Sequence, residues 1–434
     1  MGLIGVLVWL PLPFGSNQAM YWYIGQIALQ IITVGTLVLF ISGRLAVSKA
    51  VRSAMLPVCL LGFFLLSQGV LHLWPGAQFS VNQHATNAQL LKTVCLFEVF
   101  CLTLLLINDE QRFKLLVRAL VVSGTFQALY ATLMSFNEVY YIWDYAKSTR
   151  TPSGTFVNRN HLAGYLEMTI ALGIGLMIAN ISQGKAANWR EYLRGWVDTL
   201  LGEKARVRVC LVLMVIALIL TRSRMGNTAF FVSMGIAGVI GLILFRGSQR
   251  GVVMLFVSML IIDIVLLGSF FGIDKLQQRM AGVNLAAAER ADFVSLSLDL
   301  FYQAPWFGHG LGTFSALFPQ VRDATVAGFL EHLHSDLLEF PIEVGVLGSV
   351  PLVLLFLSSL FMAIRAQAKR RHRFFRAMGF SATMAMIAIA IHSSSDFNLQ
   401  IFANAATFVC ILAMPWLAMY LPARRARSGS NDPV

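Results

Sequence analysis

The sequence predicts an all-α integral membrane protein of about twelve transmembrane helices. Three observations carry that expectation. Charged residues make up 12% of the 434-residue chain, against roughly 25% in soluble domains. Mean hydropathy is +0.70. Apolar runs of about 20 residues, each long enough to cross a bilayer as a helix, recur along nearly the whole length. A large soluble protein with buried helices is the competing class, and it explains such runs poorly.

The spans are expected at residues 3–14, 20–41, 54–73, 88–107, 113–135, 160–181, 206–221, 227–245, 251–271, 337–364, 376–392 and 400–421. The first is short and the seventh marginal, so eleven to thirteen spans are compatible with the sequence. The opening "MGLIGVLVWLPLPFGS" has no basic n-region and no small-residue cleavage site, so it reads as a retained first helix. Spans one to nine then occupy residues 1–271 and a long loop residues 272–336. Spans ten to twelve follow at 337–421, with a tail at 422–434. "AAAERADFVSLSLDLF" in the loop has helical periodicity and good helix formers, which predicts amphipathic helices over the bundle. Cys59, Cys95, Cys101, Cys210 and Cys410 all lie in apolar runs without metal-ligand spacing, so they read as packing residues.

Lysine and arginine set the orientation, because basic loops stay cytoplasmic. With both termini inside, 23 of the 33 basic residues fall on the inner side and 10 on the outer. "KRRHRFFR" and "PARRARSGS" mark the inside, while "GSNQA" and "SSSDFNLQ" carry no lysine or arginine. The net charge of +12 is mostly this inside signal, and no nucleic-acid partner is needed to explain it.

The outer basic residues run against that bias and are the informative ones. Arg222 and Arg224 stand in "TRSRMGN", a tight turn between two apolar helices, where a charge is costly unless something pairs with it. Snorkelling to lipid headgroups is the plain alternative, stronger for Arg222 than for Arg224. Asn158, Arg159, Asn160 and His161 gather donors where "SGTFVNRNHLAGYLEM" enters a helix; capping by Asn160 with headgroup contact would also explain them. Arg290 stands in "ERADF", where Glu289 and Asp292 offer ordinary partners. Arginine presents a planar fork suited to phosphate oxygens, so several such forks at the outer face suggest a diphosphate ligand near the membrane plane.

"HLHSDLLEF", residues 332–340, ends the long loop and brings imidazoles beside carboxylates. That is equipment for moving a proton near neutral pH. Zinc is the competing chemistry, but His332 and His334 are two apart and lack helical H-x-x-x-H spacing. A structural loop-end cluster is the plain reading.

Several stretches resemble the O-antigen ligase and polymerase superfamily. "HSDLLEFPIEVGVLGSV" is similar to its H-[NS]-x-x-L-x(4)-E-x-G-x-x-G stretch, and "RADFVSLSLDLFYQAPWFGHGLGTFSALFP" to its arginine, helix and P-x-x-G-x-G-x-G-x-F segment. "TRSRMGN" resembles its S-R-G turn and "LPLPFGSN" its usual opening. "SGTFVNRNHLAGYL" and "SSSDFNLQIFANA" are similar to elements of one branch. The resemblance runs from about residue 10 to 410 and rests on the order of the motifs. Met225 stands where the family often has glycine, and Pro341 lies inside the helix after the histidine.

The resemblance implies a GT-C-type glycosyltransferase of the bacterial inner membrane, with cytoplasmic termini, a periplasmic active site and membrane lipids around it. It implies transfer of a glycan from undecaprenyl diphosphate to an acceptor hydroxyl, with no metal or other cofactor. The acceptor is lipid A–core in a ligase, or another lipid-linked repeat in an O-antigen or exopolysaccharide polymerase. Arg224, Arg290 and His334 match the family's functional residues. Arg224 and Arg290, with Arg159 as a weaker candidate, would hold the diphosphate, and His334 would take the acceptor proton. Asp336 is preferred over Glu339 to orient His334, and His332 is assigned to the acceptor groove. Asn158, His161 and Arg222 complete the substrate-binding set. One base and no obvious second nucleophile suit inversion.

A transporter is the rival from another class. Transport needs ionisable groups within several spans, and here the mid-span ones are chiefly Glu98 and Asp263. A lipid flippase would share the substrate but calls for a charged central cavity.

Overall fold

The structure, a computed structural model, describes residues 1–73, 80–180, 203–244, 297–321 and 331–423. Its helices are α1 (Gly2–Trp9), α2 (Ala19–Ile41), α3 (Lys49–Ser53), α4 (Met55–Leu73), α5 (Gln83–Leu106), α6 (Glu110–Phe136) and α7 (Arg159–Ala179). They continue with α8 (Glu203–Leu220), α9 (Arg224–Leu244), α10 (Phe314–Val321), α11 (Asp336–Lys369), α12 (Arg373–His392) and α13 (Phe402–Tyr420). Apart from a small hairpin pairing Tyr141–Ile142 with Tyr145–Ala146, the described fold is helical. Among the described residues, eight helices are long and apolar enough to cross a membrane: α2, α5, α6, α7, α9, α11, α12 and α13. The expected span at 251–271 and much of the long loop lie outside the described residues, while a helix at 297–303 and α10 fall within that loop.

Burial sorts the helices into layers. The most apolar window of α13 is 94% buried and that of α2 only 17%, so α13 sits in the centre and α2 faces lipid. α7 and α12 are the other central pair. Apolar surface gains little from leaving lipid, so close packing must hold such a pair together, and small residues allow it. Gly175 of α7 provides the approach, since a methyl there would sit 1.7 Å from Ser381 Oγ and 3.0 Å from Ala377 O on α12.

One expected span is not a plain helix. α11 breaks at Gly345, with φ 62° and ψ −171°, a conformation that glycine alone adopts readily. The segment 305–310 fills the gap. Val346 N donates to Pro305 O (2.8 Å) and Leu347 N to Trp306 O (3.2 Å), while His309 N and Gly310 N donate to Ile342 O (3.2 Å) and Glu343 O (2.8 Å). Backbone groups freed in an apolar surround need such partners. Gly308, at φ 71°, lets the two chains touch: a methyl on it would lie 2.3 Å from Glu343 O. Glu343 Oε1 then accepts from Phe314 N (3.1 Å), tying α11 to the start of α10.

Candidate active site

The starts of α7, α9, α11 and α13 and the end of α12 meet at one end of the bundle. Asp336 organises the junction. Its backbone N donates to Asp396 O (3.1 Å), and its Oδ2 accepts from Ser393 Oγ (2.7 Å) and Leu399 N (3.0 Å). The turn 393–400 is thereby pinned to the first residue of α11.

His334 projects from this junction at φ 58°. A non-glycine residue there is uncommon and its strain must be held by its surroundings. Its ring is 44% exposed, and Nδ1 lies 3.8 Å from Asp396 Oδ1, on a carboxylate 1% exposed. The other oxygen of Asp396 lies 3.6 Å from His392 Nε2. Nδ1 of His392 in turn meets Glu167 Oε1 at 2.8 Å, with both side chains fully buried. Burial pushes the Asp396 carboxyl up, but the imidazoles of His334 and His392 outweigh it and hold the group well below the usual carboxylate range.

His332 has a different partner. Its Nδ1 is 2.6 Å from Glu339 Oε1, and Glu339 Oε2 accepts from Leu333 N at 2.7 Å. Burial disfavours the charged ring, but the hydrogen bond and charge of Glu339 prevail and raise its pKa. Phe397 stands between the histidines. His332 stacks on it at 4.7 Å, and His161 and His334 meet it edge-on at 4.7 and 5.0 Å.

The arginines gather on the same side. Arg222 adopts φ 54° in a turn closed by Ser223 N to Thr221 Oγ1 (3.1 Å) and Gly226 N to Ser223 Oγ (3.2 Å). Gly226 brings the turn against α7, where a methyl would lie 2.7 Å from Ala163 Cβ and 3.1 Å from Glu167 Oε1. The glycine expected at 225 is thus matched one position later. Asn158 caps α7, its Oδ1 accepting from Asn160 N (2.9 Å), so Asn158 and not Asn160 is the capping side chain. Arg159 follows directly, and the charges of Arg222 and Arg224 bear on it. None of these three arginines has an ion-pair partner among the described residues. Lys147 lies near Arg159 and is pushed down to about 8 by burial and then by that charge. It donates to Thr151 O (3.0 Å) and to Ser153 Oγ. Cations brought together in this way call for a multiply charged anion.

Two expectations need correction. Asp336 does not reach His334: it is fully buried, it braces the 393–400 turn, and Asp396 is the carboxylate beside the imidazole. Glu98 and Asp263 are not the only ionisable groups in the spans either, since Glu167 stands in the middle of α7. Glu167, Glu339, Glu343 and His392 are all buried within spans, and Asp263 lies outside the described residues. Arg290 lies outside them as well. Sequence reasoning missed Asp396, His392, Glu167 and Phe397. The readable signal was Glu167 in the middle of an apolar run, since an intramembrane acid is a functional candidate by default. Among the described residues no group of three histidine, cysteine or acidic side chains stands close enough to hold a metal.

A family model described as O-antigen ligase matches residues 209–353, from α8 through the first half of α11 and past its break. That stretch is similar to the O-antigen ligase family, and the match covers about a third of the chain. A search of curated proteins finds no match. The O-antigen ligase match spans Arg222, Arg224, His332, His334 and the Glu343–Gly345 break. Asp396, His392, Glu167 and Arg159 come to the same site from outside the matched region.

Proposed function

We propose that this chain is a member of the O-antigen ligase superfamily, a membrane glycosyltransferase that moves a glycan from undecaprenyl diphosphate to an acceptor hydroxyl at the periplasmic face. Lipid A–core is the acceptor, and polymerisation onto another lipid-linked repeat is the alternative. The observation that carries the reading is a half-exposed His334 backed by the buried Asp396, together with a cluster of like-charged arginines at the same end of the bundle. A base and a diphosphate site at the same end of the bundle fit glycosyl transfer.

Asp396 faces Nδ1 of His334, which keeps that nitrogen protonated and leaves Nε2 as the base. The acceptor O–H gives its proton to Nε2 as its oxygen attacks the anomeric carbon. The bond from that carbon to the diphosphate oxygen breaks, and its electron pair leaves with the diphosphate. Arg224 and Arg159, with Arg222 and Arg290, stabilise the charge that grows there. Pre-placed donors commonly contribute about 3–4 kcal/mol each to such a step. Attack from the face opposite the diphosphate inverts the anomeric centre. With guanidinium groups in this role no metal is required, and transfer survives excess EDTA. Loss of activity on chelation, restored by a divalent ion, would overturn that.

The broken α11 also occurs in the design of carriers, whose interrupted helices coordinate cargo. Here four backbone groups at the break are taken by residues 305–310, so the break is splinted and offers them to no cargo. The deciding experiment is the lipid-linked glycan that accumulates in a deletion strain. Polymerised glycan identifies a ligase and single repeats a polymerase; unchanged carrier-linked glycan overturns both. For orientation, a cysteine at Ser394 in a Cys59→Ser background reacts with an impermeant maleimide from the periplasm, and one at Ala368 does not. The reverse pattern would place the site in the cytoplasm.

A further inference from the structure

Behind Asp396 a line of ionisable groups runs into the bundle, and the transfer chemistry above does not use it. Asp396 Oδ2 lies 3.6 Å from His392 Nε2, and His392 Nδ1 lies 2.8 Å from Glu167 Oε1. Glu167 and His392 are fully buried and Asp396 is 1% exposed. One imidazole therefore faces a carboxylate at each of its nitrogens. A neutral ring has a single N–H and would leave either Glu167 Oε1 or Asp396 Oδ2 buried without a donor, at a cost of several kcal/mol. The geometry is satisfied when both nitrogens carry protons and His392 stands as a cation between two anions.

The two ends of the line are the two halves of the site. At one end Asp396 has one oxygen toward His334 and the other toward His392, so its carboxylate plane cannot turn freely. At the other end Glu167 lies against Gly226, in the turn that carries Arg222 and Arg224. The groups facing His392 are Glu167 and His161 from α7 and Asp396 from the turn after α12, and the charges of His332 and His334, from the segment before α11, bear on His161. Asp336, at the start of α11, bears on Asp396, and Glu339 on Asp336.

We infer that His392 and Glu167 are positioning residues for the transfer: a buried carboxylate–imidazole–carboxylate line that fixes Asp396 toward His334 and joins the base to the arginine turn. The inference rests on His334 acting as the base. Glu167 and His392 touch neither substrate nor reacting atoms; they act through Asp396. Removing the charge of Glu167 with its shape kept lets His392 neutralise Asp396 more fully, which weakens the negative field on His334. The base then loses protons more readily and is also less basic.

The test measures kcat, KM for lipid-linked donor and the pH profile for wild type, Glu167→Gln, His392→Gln and His334→Ala. Glu167→Gln and His392→Gln are expected to lower kcat about 10- to 100-fold, as loss of a group orienting a functional imidazole commonly does. KM should stay within about twofold, because the arginines are untouched. In Glu167→Gln the acid limb of the profile moves to lower pH. If His334→Ala is inactive while both other variants keep wild-type kcat and profile, this inference falls and the base assignment stands. If His334→Ala is fully active, the base assignment itself falls. Should the buried variants fail to fold, ¹⁵N-histidine spectra of the wild type decide. At pH 7.5 one imidazole should be protonated at both nitrogens. A spectrum with no such imidazolium overturns the inference.

Discussion

Arginines at the two ends of the bundle do opposite things. At the end holding the loop between α11 and α12, Arg370 donates to Met419 O (3.2 Å) and Leu421 O (2.7 Å), and lies over the Phe375 ring at 4.5 Å. Arg376 donates to Gln367 O (3.2 Å) and Leu244 O (3.1 Å). These guanidinium groups close helix C-termini, where carbonyls lack partners and the helix dipole favours cations. At the other end Arg159, Arg222 and Arg224 lie within reach of one another's charge and have no ion-pair partner among the described residues. The same side chain is spent on structure at one end and left unspent at the other. That contrast is what the proposed diphosphate site rests on.

The sharpest way to break that contrast is at the base beside the outer cluster. His334→Ala should lower turnover by about 10²–10⁴ while lipid-linked donor still binds, because the arginines remain. His332→Ala should cost much less, its ring being engaged by Glu339. An inactive His332→Ala with an active His334→Ala would exchange their roles.

Next come the arginines themselves. Arg224→Lys should lose about tenfold or more of the activity although the charge is kept, because a compact ammonium cannot make the planar two-point contact; Arg222→Lys should be milder. Arg370→Ala should behave in the opposite sense. It should lower stability by about 1–3 kcal/mol, seen as a lower unfolding midpoint, with activity per folded molecule unchanged. If Arg370→Ala loses activity without losing stability, the two ends are not separate in function.

The smallest effect concerns His332. Its raised pKa adds stability that is complete below about pH 6.5, the unfolded value, and is lost as pH rises through the folded value. Thermal unfolding followed from pH 6 to 9 should therefore show a decline in the wild type that is flatter in His332→Gln. An identical decline in both would assign it elsewhere.

The helices were legible because lipid demands long apolar runs, and the tight "TRSRMGN" turn was legible because it carries charge between two of them. His334 could be singled out for the same reason. The dyad partner was not, since Asp396 stands 62 residues beyond in a turn, and nothing local marks which acid will face which ring. Asp336 was two residues away and therefore the natural choice, yet its helical start directs it to the 393–400 turn. His392 and Glu167 are 225 residues apart; only packing of α7 on α12 joins them. The break in α11 was hidden for a different reason. "IEVGVLGSV" reads as an unbroken apolar helix, and a glycine within it signals conformational freedom without saying that the freedom is used.

That break has a mechanical consequence. α11 has 34 residues and α12 has 20, yet both ends of α11 are tied to the ends of its shorter neighbours. At about 1.5 Å per residue the excess is about 20 Å of helix, which cannot stand upright in the bundle and must lie aslant. Residues 336–344 then form an arm about 13 Å long, bent at Gly345, held at its far end by Asp336 and carrying His334 just beyond it. A turn of about 5° at the bend swings that end by about 1 Å, an error large enough to cost about a hundredfold in rate. Gly308, pressed against Glu343 O, is the stop that sets the angle. A single methyl there would shift His334, the proposed base, without touching it.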